Sequence, residues 1–200
     1  MATIEKELKL LLQHDSYKKI INSVEQNPTP IRQVNYYFDS HDFKLEKAGI
    51  TLRIRNEDTH WLLCAKVKSN SNNNFISSTE IETSITELEF EYLKANPSEI
   101  LKRFKRDEVD LCNIVDSSEL FLLGSIENER LKLKVFSDYT LELDHSIFPG
   151  GNESYELEVE GVSSDKDCNN IMNELEKMGI EFYLNNKSKY KRFVEYITTV

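Results

Sequence analysis

The chain lacks most of the residues that would mark a thiolate-metal, secreted or membrane protein. Its three cysteines, Cys64, Cys112 and Cys168, are odd in number, widely spaced and without a Cys-x-x-Cys pair. They support neither a disulfide framework nor a zinc site, and read as reduced thiols. No basic leader followed by an apolar core opens the sequence, and no run of about 18 apolar residues is present to span a bilayer. The expectation is a cytoplasmic protein with no membrane role. Positive charge is scarce as well: 25 Lys and Arg against 35 Asp and Glu give a net charge of −10. That field is wrong for coating nucleic acid or an anionic membrane. The histidines at 14, 41, 60 and 145 stand singly, so no histidine constellation points to chemistry. With 39% hydrophobic residues in 200, the chain can fill one core, which predicts a single domain over residues 1–200.

Strand signals dominate. Alternation predicts a strand over residues 3–12, then a short helix on Tyr17, Ile20, Ile21 and Val24 that stops at Asn27-Pro28. Strands are also predicted at 34–39, 50–56, 60–68 and 75–83, with a polar loop at 69–74. Thr86 and Glu89 form a capping-box signature for a helix with Leu88, Tyr92 and Leu93 as its apolar stripe. A further helix is expected over residues 98–106, whose Lys102, Arg103, Lys105 and Arg106 read as a solvated end. Four more strands are predicted at 120–125, 128–136, 140–146 and 154–161. Ser164 and Asp167 open a helix bearing Cys168, Ile171 and Leu175 and closing at Gly179, and Tyr190, Phe193, Val194 and Ile197 suggest a last one. About nine strands in a meander, with helices attached, make an α+β protein.

The parity of the charges is the most informative feature. Residues two apart in a strand share a face. Glu5, Glu7 and Lys9 therefore oppose Leu8, Leu10 and Leu12; Arg53 and Arg55 oppose Leu52 and Ile54; Lys66 and Lys68 oppose Leu63, Ala65 and Val67. The same split separates Glu80 and Glu82 from Ile81, Arg130 and Lys132 from Leu131 and Leu133, Glu142 and Asp144 from Leu141 and Leu143, and Glu156, Glu158 and Glu160 from Leu157 and Val159. Each charged face alone fits the solvated side of a half-covered antiparallel sheet. Taken together, with helices covering the apolar faces, they fit a closed barrel with a charged interior. Several cations in one bore suit a chain of phosphates, and clustered carboxylates suit Mg²⁺ or Mn²⁺.

These residues, in this order, resemble the CYTH superfamily, the triphosphate tunnel metalloenzymes, in its bacterial single-domain branch. The match runs from Glu5-x-Glu7-x-Lys9 through Tyr37-Phe38-Asp39, Leu52-Arg53-Ile54-Arg55, Lys66, Arg130, Asp144 and Glu156-x-Glu158-x-Glu160 to the stretch at 187–192. Where the family's strand ends in Leu-Thr-Leu-Lys, this chain has Leu63-Cys64-Ala65-Lys66 followed by Lys68, leaving open which lysine meets phosphate. The resemblance implies an eight-stranded antiparallel closed β-barrel, a tunnel with a charged interior and flanking helices. It implies metal-dependent hydrolysis of a small triphosphate: inorganic tripolyphosphate first, then thiamine triphosphate or a nucleoside triphosphate. Adenylate cyclase activity, or a non-enzymatic polyphosphate or nucleotide sensor, is the alternative. By analogy, Lys9, Arg53, Arg55, Lys66, Lys68, Arg130 and Lys189 would bind the substrate. Glu5, Glu7, Asp144, Glu156, Glu158 and Glu160 would hold Mg²⁺ or Mn²⁺, and Lys9, Glu7 and Glu158 would be catalytic. Asp39 reads as a structural turn residue. The partner is the triphosphate, and the protein is expected as a monomer or homodimer.

Overall fold

The computed structural model describes residues 2–24, 28–69, 74–104, 111–135 and 139–199. In chain order these form β1 (Ala2–Leu12), α1 (His14–Asn22), β2 (Ile31–Asp39), α2 (Lys44–Lys47), β3 (Ile50–Glu57), β4 (His60–Ser69), β5 (Ile76–Ile85) and α3 (Glu87–Ala95). Then come β6 (Phe121–Leu133), β7 (Leu141–Phe148), β8 (Asn152–Glu160), α4 (Asp165–Lys177), β9 (Phe182–Leu184) and α5 (Lys189–Thr199). The sheet order is β5-β4-β3-β2-β6-β7-β8-β1, and β1 pairs back onto β5, closing an eight-stranded antiparallel barrel. Closure depends on the length of β1. Its residues 2–7 pair with β5 while residues 7–12 pair with β8. Beyond β5, the freed edge at Leu10 to Leu12 is covered by β9.

The barrel is inside-out relative to an ordinary core, as parity predicts. Leu8, Leu10, Leu143 and Leu157 point outward and are fully buried beneath Ile20 of α1 and Ile171 and Leu175 of α4. Leu52, Ile54, Leu63 and Ile81 do the same beneath Phe90 and Leu93 of α3 and Ile100. Each such side chain contributes about 1.5–3 kcal/mol by leaving water, so the helices fix which sheet face is outside. A third cluster joins Tyr37, Ile126 and Phe148 to Tyr190 and Phe193, which seats α5 against the barrel.

Several elements differ from the sequence expectation. The strands predicted at 120–125 and 128–136 are one strand, β6, because Ile126 and Glu127 stay in the ladder opposite Asn35 and Val34. A register shift near Gly124, at φ +148, absorbs the irregularity instead of a turn. The helix expected at 98–106 is replaced by two 3-10 turns, Pro97–Glu99 and Leu101–Arg103, because Phe104 is extended. Lys105, Arg106 and Phe136, the helix stop at Asn27 and the middle of the 69–74 loop lie outside the described residues. On α3 the buried positions are Phe90 and Leu93, whereas Leu88 and Tyr92 are 83% and 51% exposed. Aromatic stacking decides this rotation, since Phe90 meets Trp61 at 4.1 Å and Tyr36 at 4.7 Å between ring centroids. The unpredicted α2 is a single turn between Phe43, at φ 56, and Gly49, at φ 74.

Candidate active site

Closure turns the charged strand faces into the walls of a cavity of about 540 Å³. Arg53 and Arg55 of β3 and Lys66 and Lys68 of β4 line one side. In the closed order, β3 and β4 lie four strands from β8 and β7 respectively, so directly across stand Glu142, Asp144, Glu158 and Glu160, flanked by Glu5 and Glu7 of β1. A basic wall thus faces an acidic one.

Three cations are embedded in the acidic wall. Lys9 Nζ lies 3.0 Å from Glu158 Oε1 and 3.3 Å from Glu7 Oε1. Arg130 donates from Nε to Asp144 Oδ1 at 2.7 Å and from Nη2 to Glu158 Oε2 at 2.6 Å, and its Nη1 contacts Glu142. Lys189, from the first turn of α5, reaches Asp144 at 2.7 Å, Glu158 at 2.8 Å and Glu156 at 3.0 Å. Burial alone would weaken all these charges, but the pairing overrules it. Asp144 would be pushed up by burial, yet Lys189 and Arg130 hold it down at about 2. Glu158 is held well below the carboxylate range against burial by Lys189, Lys9 and Arg130. Arg130 and Lys189 are correspondingly fixed in their charged forms.

The basic wall is less fully neutralised. Arg53 Nη2 donates to Glu80 Oε1 at 3.0 Å, and Lys66 pairs with Glu5 at 2.8 Å and Glu7 at 3.0 Å. Arg55 forms no ion pair among the described residues and donates from Nε to Asn35 Oδ1 at 3.2 Å. Lys68 sits exposed at the rim, donating to the carbonyl of Asn186 at 3.3 Å. Lys66, not Lys68, is therefore the lysine enclosed among the carboxylates. Burial pushes Glu5 up to about 7, Lys66 opposing and a hydrogen bond with Glu80 assisting. Its partner Glu80 is held at about 2, Arg53 and Lys66 outweighing burial.

Of the residues singled out from sequence, the cavity collects Glu5, Glu7, Lys9, Arg53, Arg55, Lys66, Lys68, Arg130, Asp144, Glu158, Glu160 and Lys189. Glu156 does not line it. Fully buried, Glu156 accepts from Asn185 Nδ2 at 2.8 Å and pairs with Lys189 and Arg192. Asp144 does line it, but its oxygens are occupied by Arg130, Lys189 and Asn128. Sequence reasoning placed Glu80 and Glu142 on inward faces without giving them a role. It missed the neutral lining residues Gln33, Asn35 and Asn128, which carry no charge pattern to read. Asp39 is structural as expected: its carboxylate accepts backbone N–H bonds from Ser40, Leu45 and Glu46 and a hydroxyl bond from Tyr190. Cys64, Glu80 and Glu82 place three ligand-capable atoms within 4.8 Å of one another. The Cys64 thiol, however, is pushed up to about 12 by burial and contacts Glu82 at 3.2 Å as a protonated donor.

The CYTH domain family model matches residues 3–194. The chain belongs to the CYTH family. Among solved structures, this CYTH chain is similar to HpAC1 of Hippeastrum, named as an adenylyl cyclase and described as showing a dominant triphosphatase activity. The two are 25% identical, with 96% of each chain covered and a TM-score of 0.82. A Bacillus halodurans protein named as an adenylate cyclase shares the fold at 24% identity, with 96% and 98% coverage and a TM-score of 0.79. The PH1819 protein of Pyrococcus horikoshii does so at 20% identity, 96% and 99% coverage and a TM-score of 0.62. No curated protein sequence matches the chain. Among the described residues, no helix is long and apolar enough to cross a membrane.

The electrostatics of this CYTH barrel predict its acid limb. Asp144 and Glu80 titrate near 2 when folded, against ordinary values of 3.8 and 4.5. A depressed carboxyl stabilises fully above its unfolded value and loses that contribution as pH falls through its folded value. Stability is thus expected to drop between about pH 4.5 and pH 2. Urea unfolding midpoints across that window check it; Glu80→Gln should shallow the slope, and a flat profile contradicts the pairing.

Proposed function

We propose that this CYTH domain hydrolyses a small triphosphate inside its tunnel with Mg²⁺ or Mn²⁺, inorganic tripolyphosphate being preferred over thiamine triphosphate and nucleoside triphosphates. The observation that carries the reading is the division of one cavity into a basic wall and an acidic wall directly opposite. A bare polyphosphate satisfies the first and a divalent ion the second. The preference for tripolyphosphate is supported by the lining: its aromatic side chains, Tyr37 and Tyr190, are stacked on each other at 5.0 Å and offer no free platform for a base or thiazole.

The donor chemistry fits the metal. Glu5, Glu7, Glu158 and Glu160 present the hard oxygens that Mg²⁺ and Mn²⁺ prefer. Glu160 is pushed up by burial and by crowding from Glu142, Glu7 and Glu158, Arg130 opposing. Glu7 Oε1 is buried between the ammonium groups of Lys66, at 3.0 Å, and Lys9, at 3.3 Å, so an ion bound there would displace or share those lysines. These four would hold the ion, with Glu142 and Asp144 behind them bracing Arg130. Bound there, the metal supplies charge neutralisation at the phosphoryl oxygens and a more acidic water.

The chain's own residues do the rest. Arg53 and Arg55 offer guanidinium forks to phosphate oxygens, Lys66 a point charge, and Lys9, Arg130 and Lys189 neutralise charge on the far side. Hydrolysis breaks one phosphoanhydride bond, and the attacking water loses a proton. Glu158, held low by three cations, is a poor acceptor for that proton. Glu7, which meets two lysines, Lys9 and Lys66, where Glu158 meets three cations, is assigned as base. No covalent nucleophile is needed, because phosphoryl transfer depends mainly on positioning and charge.

Phosphate release from tripolyphosphate, thiamine triphosphate and ATP, with Mg²⁺ or Mn²⁺ and then with chelator, tests the proposal. Metal-dependent release, fastest from tripolyphosphate, is expected. The name carried by HpAC1 favours a cyclase as the second reading, and cyclic AMP formed from ATP would select it. Tight tripolyphosphate binding with no turnover under any divalent ion would instead indicate a sensor.

Arg55→Ala separates binding from stability. No carboxylate among the described residues is ion-paired to Arg55, and the buried Glu80 nearby keeps Arg53 and Lys66, so the unfolding midpoint should hardly move. Loss of a charged hydrogen bond to substrate is expected to raise KM for tripolyphosphate about tenfold to hundredfold. Unchanged KM removes Arg55 from the phosphate site.

A further inference from the structure

Lys189 enters the tunnel from α5, not from a barrel strand, so its aim depends on what holds that helix. Two carboxylates hold its first turn from different strands. On β2, Asp39 is fully buried, and its Oδ2 accepts the Tyr190 hydroxyl at 2.6 Å while the Tyr190 ring stacks on Tyr37. The same carboxylate binds the backbone N–H groups of Ser40, Leu45 and Glu46 at 2.7–3.0 Å, so the helix is tied to a point that is itself rigidly anchored. On β8, Glu156 takes Asn185, Lys189 and Arg192 together. Asn185 is in turn fixed to β1 by its N–H on the carbonyl of Lys9, at 2.9 Å. Glu156 is thus committed to the C-terminal segment and lies outside the cavity lining.

We propose that Asp39 and Glu156 are positioning residues that clamp α5 so that Lys189 meets the substrate's phosphates, and that Glu156 is not a metal ligand. The proposal rests on the triphosphate reading above. A side chain whose ammonium is held in advance loses less freedom on binding and contributes more to affinity. The Tyr190 hydroxyl would therefore act on substrate only through Lys189.

A double-mutant cycle measures this. Tripolyphosphate binding, followed by calorimetry without metal, is compared for the wild type, Tyr190→Phe, Lys189→Ala and the double variant. Tyr190→Phe is expected to weaken binding about tenfold alone, and by much less than that when Lys189 is already alanine. In turnover assays it should raise KM and leave kcat nearly unchanged, as for an interaction made equally in the ground and transition states. Equal effects of Tyr190→Phe in both backgrounds, or none in either, overturn the clamp. Glu156→Gln provides the independent arm. Its affinity for Mn²⁺ alone, read by electron paramagnetic resonance, should equal that of the wild type, whereas its tripolyphosphate affinity falls. A loss of Mn²⁺ affinity in Glu156→Gln would return Glu156 to the metal site and overturn the assignment. If Tyr190→Phe does not fold, the Glu156→Gln measurements decide alone. Failure of the wild type to bind tripolyphosphate at all rejects the triphosphate reading itself, an outcome distinct from an additive cycle in a protein that binds.

Discussion

Arg130→Ala is expected to destabilise the protein by about 3–5 kcal/mol and to abolish activity, because it removes one partner from a buried charge network. Arg130 is held by Asp144 at 2.7 Å through both oxygens and by Glu158 at 2.6 Å, and it also contacts Glu142. Without it, three carboxylates with side chains at most 6% exposed share what remains, chiefly Lys189, Lys9 and the half-exposed Lys132. Urea unfolding of the purified variant checks the figure. A loss under about 1 kcal/mol, the range of an exposed pair, would mean that Arg130 does not organise the acidic wall. The contrast with Arg55→Ala is informative, since the same residue type inside the same barrel should give a binding defect in one case and a folding defect in the other.

Glu158→Gln should produce a large change in turnover with little change in shape. Glu158 is the hub of the acidic wall, reached by Lys9 at 3.0 Å, Lys189 at 2.8 Å and Arg130 at 2.6 Å. The amide keeps the volume and removes one charge and one hard oxygen donor. Metal affinity is expected to fall, and kcat for tripolyphosphate to drop about 10²–10³-fold, the scale for losing one electrostatic contributor to a transition state. Binding of tripolyphosphate without metal should move the other way and tighten, because three cations lose an anionic competitor. Calorimetry in chelator beside phosphate-release kinetics reads both. Wild-type kinetics, or weaker metal-free binding, would remove Glu158 from its assigned role.

Much of this site was legible because strand parity needs no structure. Once Leu8, Leu10 and Leu12 are on one face, Glu7 and Lys9 must be on the other, and the same logic placed Arg53, Lys66, Asp144 and Glu158. Parity gives the face but not the height along the barrel or the company a side chain keeps. Glu156 shares its face with Glu158, yet it lies beyond the cavity lining because α5 brings Lys189 and Arg192 down onto it. The neutral amides Gln33, Asn35 and Asn128 escaped because an uncharged residue on an inward face looks like any polar residue on an outward one. The fusion of two predicted strands into β6 escaped because the break read at Ile126 and Glu127, after Gly124-Ser125, looks like a turn when their ladder partners, Asn35 and Val34, are out of view. On α3, Leu88 and Tyr92 looked like the buried stripe only because Trp61 and Tyr36, which draw Phe90 inward, lie far away in sequence.

The most direct test of a tunnel with opposed basic and acidic walls is to locate both ligands in one crystal of the protein grown with tripolyphosphate and Mn²⁺. Anomalous scattering should place manganese among Glu5, Glu7, Glu158 and Glu160, with the phosphate chain against Arg53, Arg55 and Lys66. Manganese at Cys64, Glu80 and Glu82, or tripolyphosphate bound only outside the barrel, would contradict it.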